Sequence, residues 1–287
     1  PVILYAVVAS TRDMSVPAES LYLAGLLPGL LMLGLVAAYG IYKGRSIEGG
    51  RQRFAFREVL GATWEAKWEL GLPVFVIALF TSGFASMVET AAAAVFYAAV
   101  VECLVLRDVS FFKGLPSALV KSSVLTGAVL ILLSAAMGST SYIVDAQIPD
   151  LLLQWVKTHI DSQVAFLLAL NVLLIVVGCL VDIFSAIVIL APLIAPMGAA
   201  FGVHPVHLGV IFLANLELGF LTPPIGLNLF LSSSRFNKPL LEVYRHTFPF
   251  LIILAIGVLL ITYIPDMSLG ILKLLGKFEA VEAVAAF

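Results

Sequence analysis

The sequence predicts an all-α polytopic membrane protein, and three observations carry that prediction. Apolar residues make up 61% of the 287 and charged residues 12%, against roughly 45–50% and 25% in soluble domains, and the mean hydropathy is +1.09. Apolar runs near the roughly 20 residues a helix needs to cross hydrocarbon recur along the whole chain. Alternating segments of the outer-membrane barrel type are not seen. The net charge of −2, from 16 basic and 18 acidic residues, implies neither a nucleic-acid surface nor an acidic tail. Cys103 and Cys179 fall inside apolar runs, where a thiol is a small hydrophobe, and their spacing suggests no disulfide framework or metal site.

Taken in order, residues 1–10 are apolar from Pro1 to Val8, with no initiator Met, no basic flank and too little length to span. They read as the end of a helix whose beginning lies upstream, so the chain is expected to be a piece of a longer protein. Residues 11–72 begin with a polar loop at Arg12, Asp13 and Ser15 and continue into a span, Leu21 to Tyr42. The loop that follows carries Lys43, Arg45, Arg51, Arg53, Arg57 and Lys67 among Glu48, Glu58 and Glu65, and the positive-inside rule puts it in the cytoplasm. Phe54, Val59, Leu60, Trp64 and Trp68 recur there at helical spacing, which predicts an amphipathic helix lying in the lipid interface, an arm with its tryptophans at headgroup depth.

Residues 73–162 are expected to be scaffold and connecting helices. Pro73 to Ser86 and Ala91 to Leu106 are apolar and separated by Met87 to Thr90, Ser122 to Ala136 spans again, and Ser139 to Asp161 is interfacial and poor in Lys and Arg, as on an external face. Glu89 at the first junction is either an intramembrane ligand or a carboxylate at a helix N-terminus, and Thr90 before Ala91 to Ala94 suits close helix packing. Residues 163–245 hold the most unusual chemistry. After the span Val164 to Leu180, Asp182 opens an apolar run interrupted by Pro192 and Pro196, which predicts a re-entrant hairpin at about 182–203. A broken helix is expected at about 207–235, leaving through Arg235, Lys238 and Arg245. Residues 246–287 form a last span, His246 to Ile264, and a tail.

The break is predicted from the run Asn215 to Leu231. Pro223 and Pro224 have no N–H and clash with a preceding helical turn, while Gly219 and Gly226 flank them. Unwound backbone survives in hydrocarbon only where protein or a water-filled cavity covers it. Asp182, Ser185, Glu217, Thr222, Asn228 and the carbonyls from Gly219 to Gly226 supply hard oxygen ligands suited to sodium, and a half-helix N-terminus suits an anion. The alternative is a proline kink with its polar side chains bonded to neighbouring helices. His204-Pro-Val-His207 has the spacing of a metal pair, but Pro205 between apolar segments favours a capped turn. Neither a His-Glu-x-x-His helix nor a Gly-x-Ser-x-Gly elbow occurs, so enzyme chemistry has no support.

Leu221-Thr-Pro-Pro-Ile-Gly-Leu-Asn-Leu-Phe230, with Val181-Asp182, Pro192, Pro196 and His207-Leu-Gly209, resembles the large membrane subunit of tripartite ATP-independent periplasmic (TRAP) transporters. Gly83 to Tyr97 looks like that family's Thr-Glu and alanine-rich segment, with Val88 where Thr is usual. The resemblance covers nearly the whole chain and corresponds to the C-terminal two-thirds of such a subunit. It implies an elevator-type secondary transporter of the bacterial inner membrane with inverted repeats, re-entrant hairpins and broken helices. Thr222, Pro223, Pro224, Gly226 and Asn228 would then line a sodium and substrate region opposite Asp182 and Ser185. No cofactor is implied beyond sodium as the coupling ion. The implied partners are an organic acid such as a C4-dicarboxylate or sialic acid, a periplasmic substrate-binding protein, a small membrane subunit and the lipid bilayer. A single-component carboxylate symporter and a non-transporting scaffold stay open beside this.

Overall fold

The computed structural model describes residues 1–10, 16–45, 55–82, 84–224 and 226–276. The predicted polar loop at Arg12, Asp13 and Ser15, the Glu48 to Phe54 part of the basic loop, Gly83 and residues 277–287 of the tail lie outside them. Every regular element among the described residues is helical. Five of them, Ala18–Gly44, Val88–Val105, Gln163–Leu180, Ile183–Ala200 and Leu240–Tyr263, are long and apolar enough to cross a membrane. The chain is thus an all-α polytopic membrane protein, and it divides into two compact units, residues 1–46 with 129–287 and residues 47–128.

The larger unit contains α1 (Val2–Ala9), α2 (Ala18–Ala24) and α3 (Leu26–Gly44). The α2–α3 joint falls at Gly25, three residues before Pro28, whose ring nitrogen has no hydrogen for the carbonyl of Ala24. A 32-residue helix, α7 (Gly114–Asp145), contains the predicted span Ser122 to Ala136 and runs on into the segment expected to be interfacial. The rest of that segment is α8 (Ile148–His159), with Asp150 in its first turn and Lys157 and His159 in its last, each sign matched to the helix dipole.

Next come α9 (Gln163–Leu180), α10 (Ile183–Ala200), α11 (Pro205–Gly219), α12 (Leu227–Phe236), α13 (Leu240–Tyr263) and α14 (Asp266–Leu274). Over residues 182–203 the structure has one helix, α10, running through Pro192 and Pro196, where a hairpin was expected. Two prolines four residues apart remove N–H groups from one face only, and that loss leaves the other faces of the helix bonded. The chain reverses instead at Val181 and Asp182, both extended, between α9 and α10. At the centre of the unit is α11, packed against α9, α13, α2, α10, α14 and α1. Val206, Leu208, Val210, Ile211, Phe212, Leu216 and Leu218 are all buried, as expected of a helix apolar on nearly every side. Tyr5 of α1 sits 5.1 Å from the Phe212 ring, and Gly209 lets α1 and α2 close on α11.

The smaller unit consists of α4 (Phe56–Glu65), α5 (Lys67–Thr81), α6 (Met87–Val100) continuing as a π-helical turn over Val101–Val105, and the first part of α7. The Tyr97 hydroxyl donates to the Trp68 carbonyl at 3.0 Å, and its ring stacks on Phe75 at 5.5 Å. The predicted amphipathic helix is α4. Phe56, Val59, Leu60 and Trp64 stay exposed and with α5 residues line a groove of about 570 Å³, while the Lys67 ammonium lies 4.3 Å from the Trp64 ring centre, within cation–π range.

A methyl group at Gly209 would lie 2.5 Å from Leu21 Cδ2 and 2.7 Å from Tyr5 Cε1. Gly209→Ala should therefore destabilise the folded protein by about 1–3 kcal/mol through overpacking, seen as a lower thermal midpoint of the full-length protein in detergent. An unchanged midpoint would contradict the α1–α2–α11 packing.

Candidate functional site

Four helix ends make the site. The carboxylate of Asp182 caps α10, accepting from the N–H groups of Phe184 and Ser185, both at 3.0 Å, and from the Ser185 hydroxyl at 2.5 Å. The Asp182 carboxylate is thus already committed to a cap.

The helix α11 ends by tightening. Phe220 N–H reaches back four residues to Leu216 at 3.1 Å, but Leu221 and Thr222 reach back only three, to Leu218 and Gly219 at 3.0 and 2.9 Å. The Thr222 hydroxyl adds a bond to the Leu218 carbonyl at 2.9 Å. Pro223 and Pro224, joined by a cis peptide bond, donate nothing further. Gly226 starts α12 in the left-handed region, φ +45°, a conformation that disfavours any side chain. The place a Cβ at 226 would take lies 2.8 Å from Leu229 Cδ1 and 3.0 and 3.2 Å from the carbonyl oxygens of Thr222 and Phe220, so the two oxygens converge beside Gly226 where only glycine fits. Neither oxygen accepts a hydrogen bond from a described residue.

The break is tied to the end of α9. Gly226 N–H donates to the Cys179 carbonyl at 3.3 Å, and a Cβ on Gly219 would lie 2.7 Å from the Cα of Gly178, so the two backbones meet at van der Waals distance. The C-termini of α9 and α11, partial negative ends, and the N-termini of α10 and α12, partial positive ends, thus adjoin within one unit. Asp182 pairs with Ser185, and Gly219, Thr222 and Gly226 form the break, with Pro223 and Pro224 between. No hydrogen bond among the described residues joins the two groups. Asn228, on the first turn of α12, is half-buried and its amide has no partner among the described residues.

Other predicted residues stand elsewhere. Glu217 is two residues from both Asn215 and Gly219, on the opposite side of α11. It is exposed and lines a cavity of about 450 Å³ with Val2, Leu21, Gly25, Leu254 and, from the start of the break, Leu221. In the smaller unit Glu89 completes a capping box, accepting from Ser86 N–H at 2.7 Å while Ser86 Oγ accepts from Glu89 N–H at 3.3 Å. Of the two readings of Glu89, the N-terminal carboxylate is the one observed. Thr90 is buried and its hydroxyl finds no partner among the described residues. His204 caps α11 through Nδ1, and His207 turns inward, Nδ1 3.2 Å from Ser268 Oγ and Nε2 3.3 Å from the Thr262 carbonyl. The carbonyl can only accept, so Nε2 carries the proton. The described residues contain no metal-binding cluster of His, Cys, Asp or Glu.

Two groups escaped the sequence. The Tyr244 hydroxyl of α13 donates to the Pro224 carbonyl at 2.5 Å, a contact across 20 residues with no local signal. Asn171 of α9 and Asn215 of α11 are buried and bonded to each other, Nδ2 of Asn215 to Oδ1 of Asn171 at 2.8 Å. Single amides inside apolar runs were the signal there.

Residues 1–267 match the family model described as tripartite ATP-independent periplasmic transporter, DctM component. The chain is 35% identical, over 96% of its length and 64% of the relative's, to a C4-dicarboxylate TRAP transporter large permease protein of Pseudomonas aeruginosa. An isethionate TRAP transporter permease protein of Oleidesulfovibrio alaskensis is 32% identical over 87% of the chain and 39% of the relative. An ectoine/5-hydroxyectoine TRAP transporter large permease protein of Ruegeria pomeroyi is 34% identical over 93% and 61%. The chain thus spans less than two thirds of the length of each of these relatives.

Gly226→Ala would place a methyl between the converging carbonyls in a left-handed backbone. It should cost about 1–2 kcal/mol from the backbone conformation alone, read as a fall in thermal midpoint, and a midpoint equal to wild type would mean that the break is built differently.

Proposed function

The chain belongs to the DctM component family of tripartite ATP-independent periplasmic transporters, and from that premise we propose that it forms the cation and substrate region of a sodium-coupled organic-acid transporter. The observation that carries the proposal is the convergence of the Phe220 and Thr222 carbonyls on Gly226. Two oxygens without hydrogen-bond donors among the described residues, at the negative end of α11, suit a small hard cation. The first N–H groups of α12, at Leu227 and Asn228, have no carbonyl partners among the described residues, and together with the Asn228 amide they suit a carboxylate or sulfonate.

The two ligands assist each other through the backbone between them. A cation on the carbonyls of residues 220–222 fixes the segment whose far end, Gly226, sets the direction of the α12 N–H groups. An anion that meets those groups in a fixed direction has less ordering to do, which is positive coupling between sodium and substrate. Asp182 and Ser185 contribute an anionic, rigid cap beside this segment and favour cation over anion on their side. Movement of the region across the bilayer in elevator fashion, delivery of substrate by a periplasmic binding protein and assembly with a small membrane subunit belong to the same proposal. Relatives named for C4-dicarboxylate, isethionate and ectoine transport support a small polar solute and leave the choice among such solutes to the remainder of the site.

Sodium at about one hundred times its dissociation constant should raise the unfolding free energy of the full-length protein by about 2.7 kcal/mol over potassium at equal ionic strength. The difference should vanish in Asp182→Ala and in Asn228→Leu, and sodium-dependent uptake should be lost with it. Identical thermal curves for the wild type in the two salts would sink the ion site, and a full sodium effect in both variants would exclude these residues from it.

A further inference from the structure

We propose that Asn171 and Asn215 are positioning residues that set the register of α9 against α11, and with it the geometry of the break. Asn171 and Gly178 are seven residues apart on α9, and Asn215 and Gly219 four apart on α11, so on each helix the asparagine and the glycine share a face. Asn171 pairs with Asn215 at 2.8 Å and Gly178 meets Gly219. The seam is therefore pinned at two points, with Leu174, fully buried, between them on α9. Both asparagines precede their glycines, so the helices run parallel and their C-termini arrive together. One residue beyond Gly178, the Cys179 carbonyl takes the Gly226 N–H. A slip of the seam by a single residue turns Cys179 through about 100° and removes that bond.

The pair is costly as a stabilising device. Nδ2 of Asn171 and Oδ1 of Asn215 are buried without a partner among the described residues, a penalty that two leucines would not incur. It is effective as a register device, because an amide pair has one alignment that satisfies it whereas apolar side chains slide against each other at little cost. Thr262 of α13 reaches the same Asn171 oxygen at 3.2 Å, and the Thr262 carbonyl meets His207 of α11, so α13 holds both partners of the seam. The consequence for ion binding rests on the transport reading above, whereas the register itself does not.

The test uses the full-length protein with every cysteine except Cys179 replaced, and reads two quantities: the rate at which N-ethylmaleimide labels Cys179, which is 7% exposed, and the thermal midpoint in potassium. The key variant is the double substitution Asn171→Leu/Asn215→Leu, which leaves no unpaired polar atom in the seam and therefore folds if the pair matters only for stability. Labelling should rise at least fivefold in the double variant while its midpoint stays within a few degrees of the parent. Thr262→Val, which spares the Asn–Asn bond, should label near the parental rate. Parental labelling in the double variant at a held midpoint would overturn the proposal, and so would labelling that rises only in step with a falling midpoint, the mark of a structural role alone. Where the parent shows a sodium-dependent midpoint, that shift should shrink in the double variant. If the parent shows none, the ion site fails and the labelling result still decides the register.

Discussion

A backbone amide in hydrocarbon has no water to fall back on, and the form of the break follows from that constraint. Between Phe220 and Gly226 the chain cannot continue a helix through two prolines, so each exposed donor and acceptor has to be met from outside the usual ladder. The bonds of Leu221 and Thr222 shorten to three residues, Thr222 folds its hydroxyl back on Leu218, Tyr244 reaches over from α13 to Pro224, and Cys179 receives the Gly226 N–H. After all of these, the carbonyls of Phe220 and Thr222 have no donor among the described residues, and both lie close to Gly226.

Such a residue of unpaired oxygen is stable only if the helices around it cannot drift. The close meeting of Gly178 and Gly219 supplies contact but little direction, because glycine backbones present a smooth surface to each other. Direction comes from polar groups at the other end of the same seam, where amides of α9 and α11 meet a threonine of α13, and where His207 meets Ser268 of α14. The buried polar side chains of the larger unit thus gather around α11, the helix whose end forms the break. Carboxylates follow a different logic. Asp182 and Glu89 both sit at helix N-termini, where they satisfy backbone donors and the positive end of the dipole, and only Asp182 does so beside the break.

Much was legible before any coordinate. Composition and run length fixed a helical membrane protein, and the helical spacing of Val59, Leu60 and Trp64 located α4. Pro223, Pro224, Gly219 and Gly226 pointed to a break near Thr222, and α11 ends at Gly219 with α12 starting at Leu227, because a missing N–H and a missing Cβ act on the backbone wherever they stand. Asp182 and Ser185 were expected as sodium ligands facing the break; the structure bonds them to each other as a cap of α10, a contact close enough in sequence for local geometry to decide. The hairpin expected at 182–203 became one helix, since a proline's effect on its own helix depends on how many neighbouring bonds remain, and α10 retains enough of them.

What the sequence by itself determined, then, is where helices exist and where backbone must break, since propensity, hydropathy and proline chemistry are properties of a residue and its near neighbours. Tertiary structure alone decided which faces meet. It set Glu217 into a cavity with residues of α1, α2 and α13, brought Tyr244 onto Pro224 across 20 residues, and joined Asn171 to Asn215 across 44. An apolar stripe says that a helix will be buried, but nearly all sides of α11 are apolar, so only the close packing of its neighbours selects the rotation and register at which its few polar groups find partners.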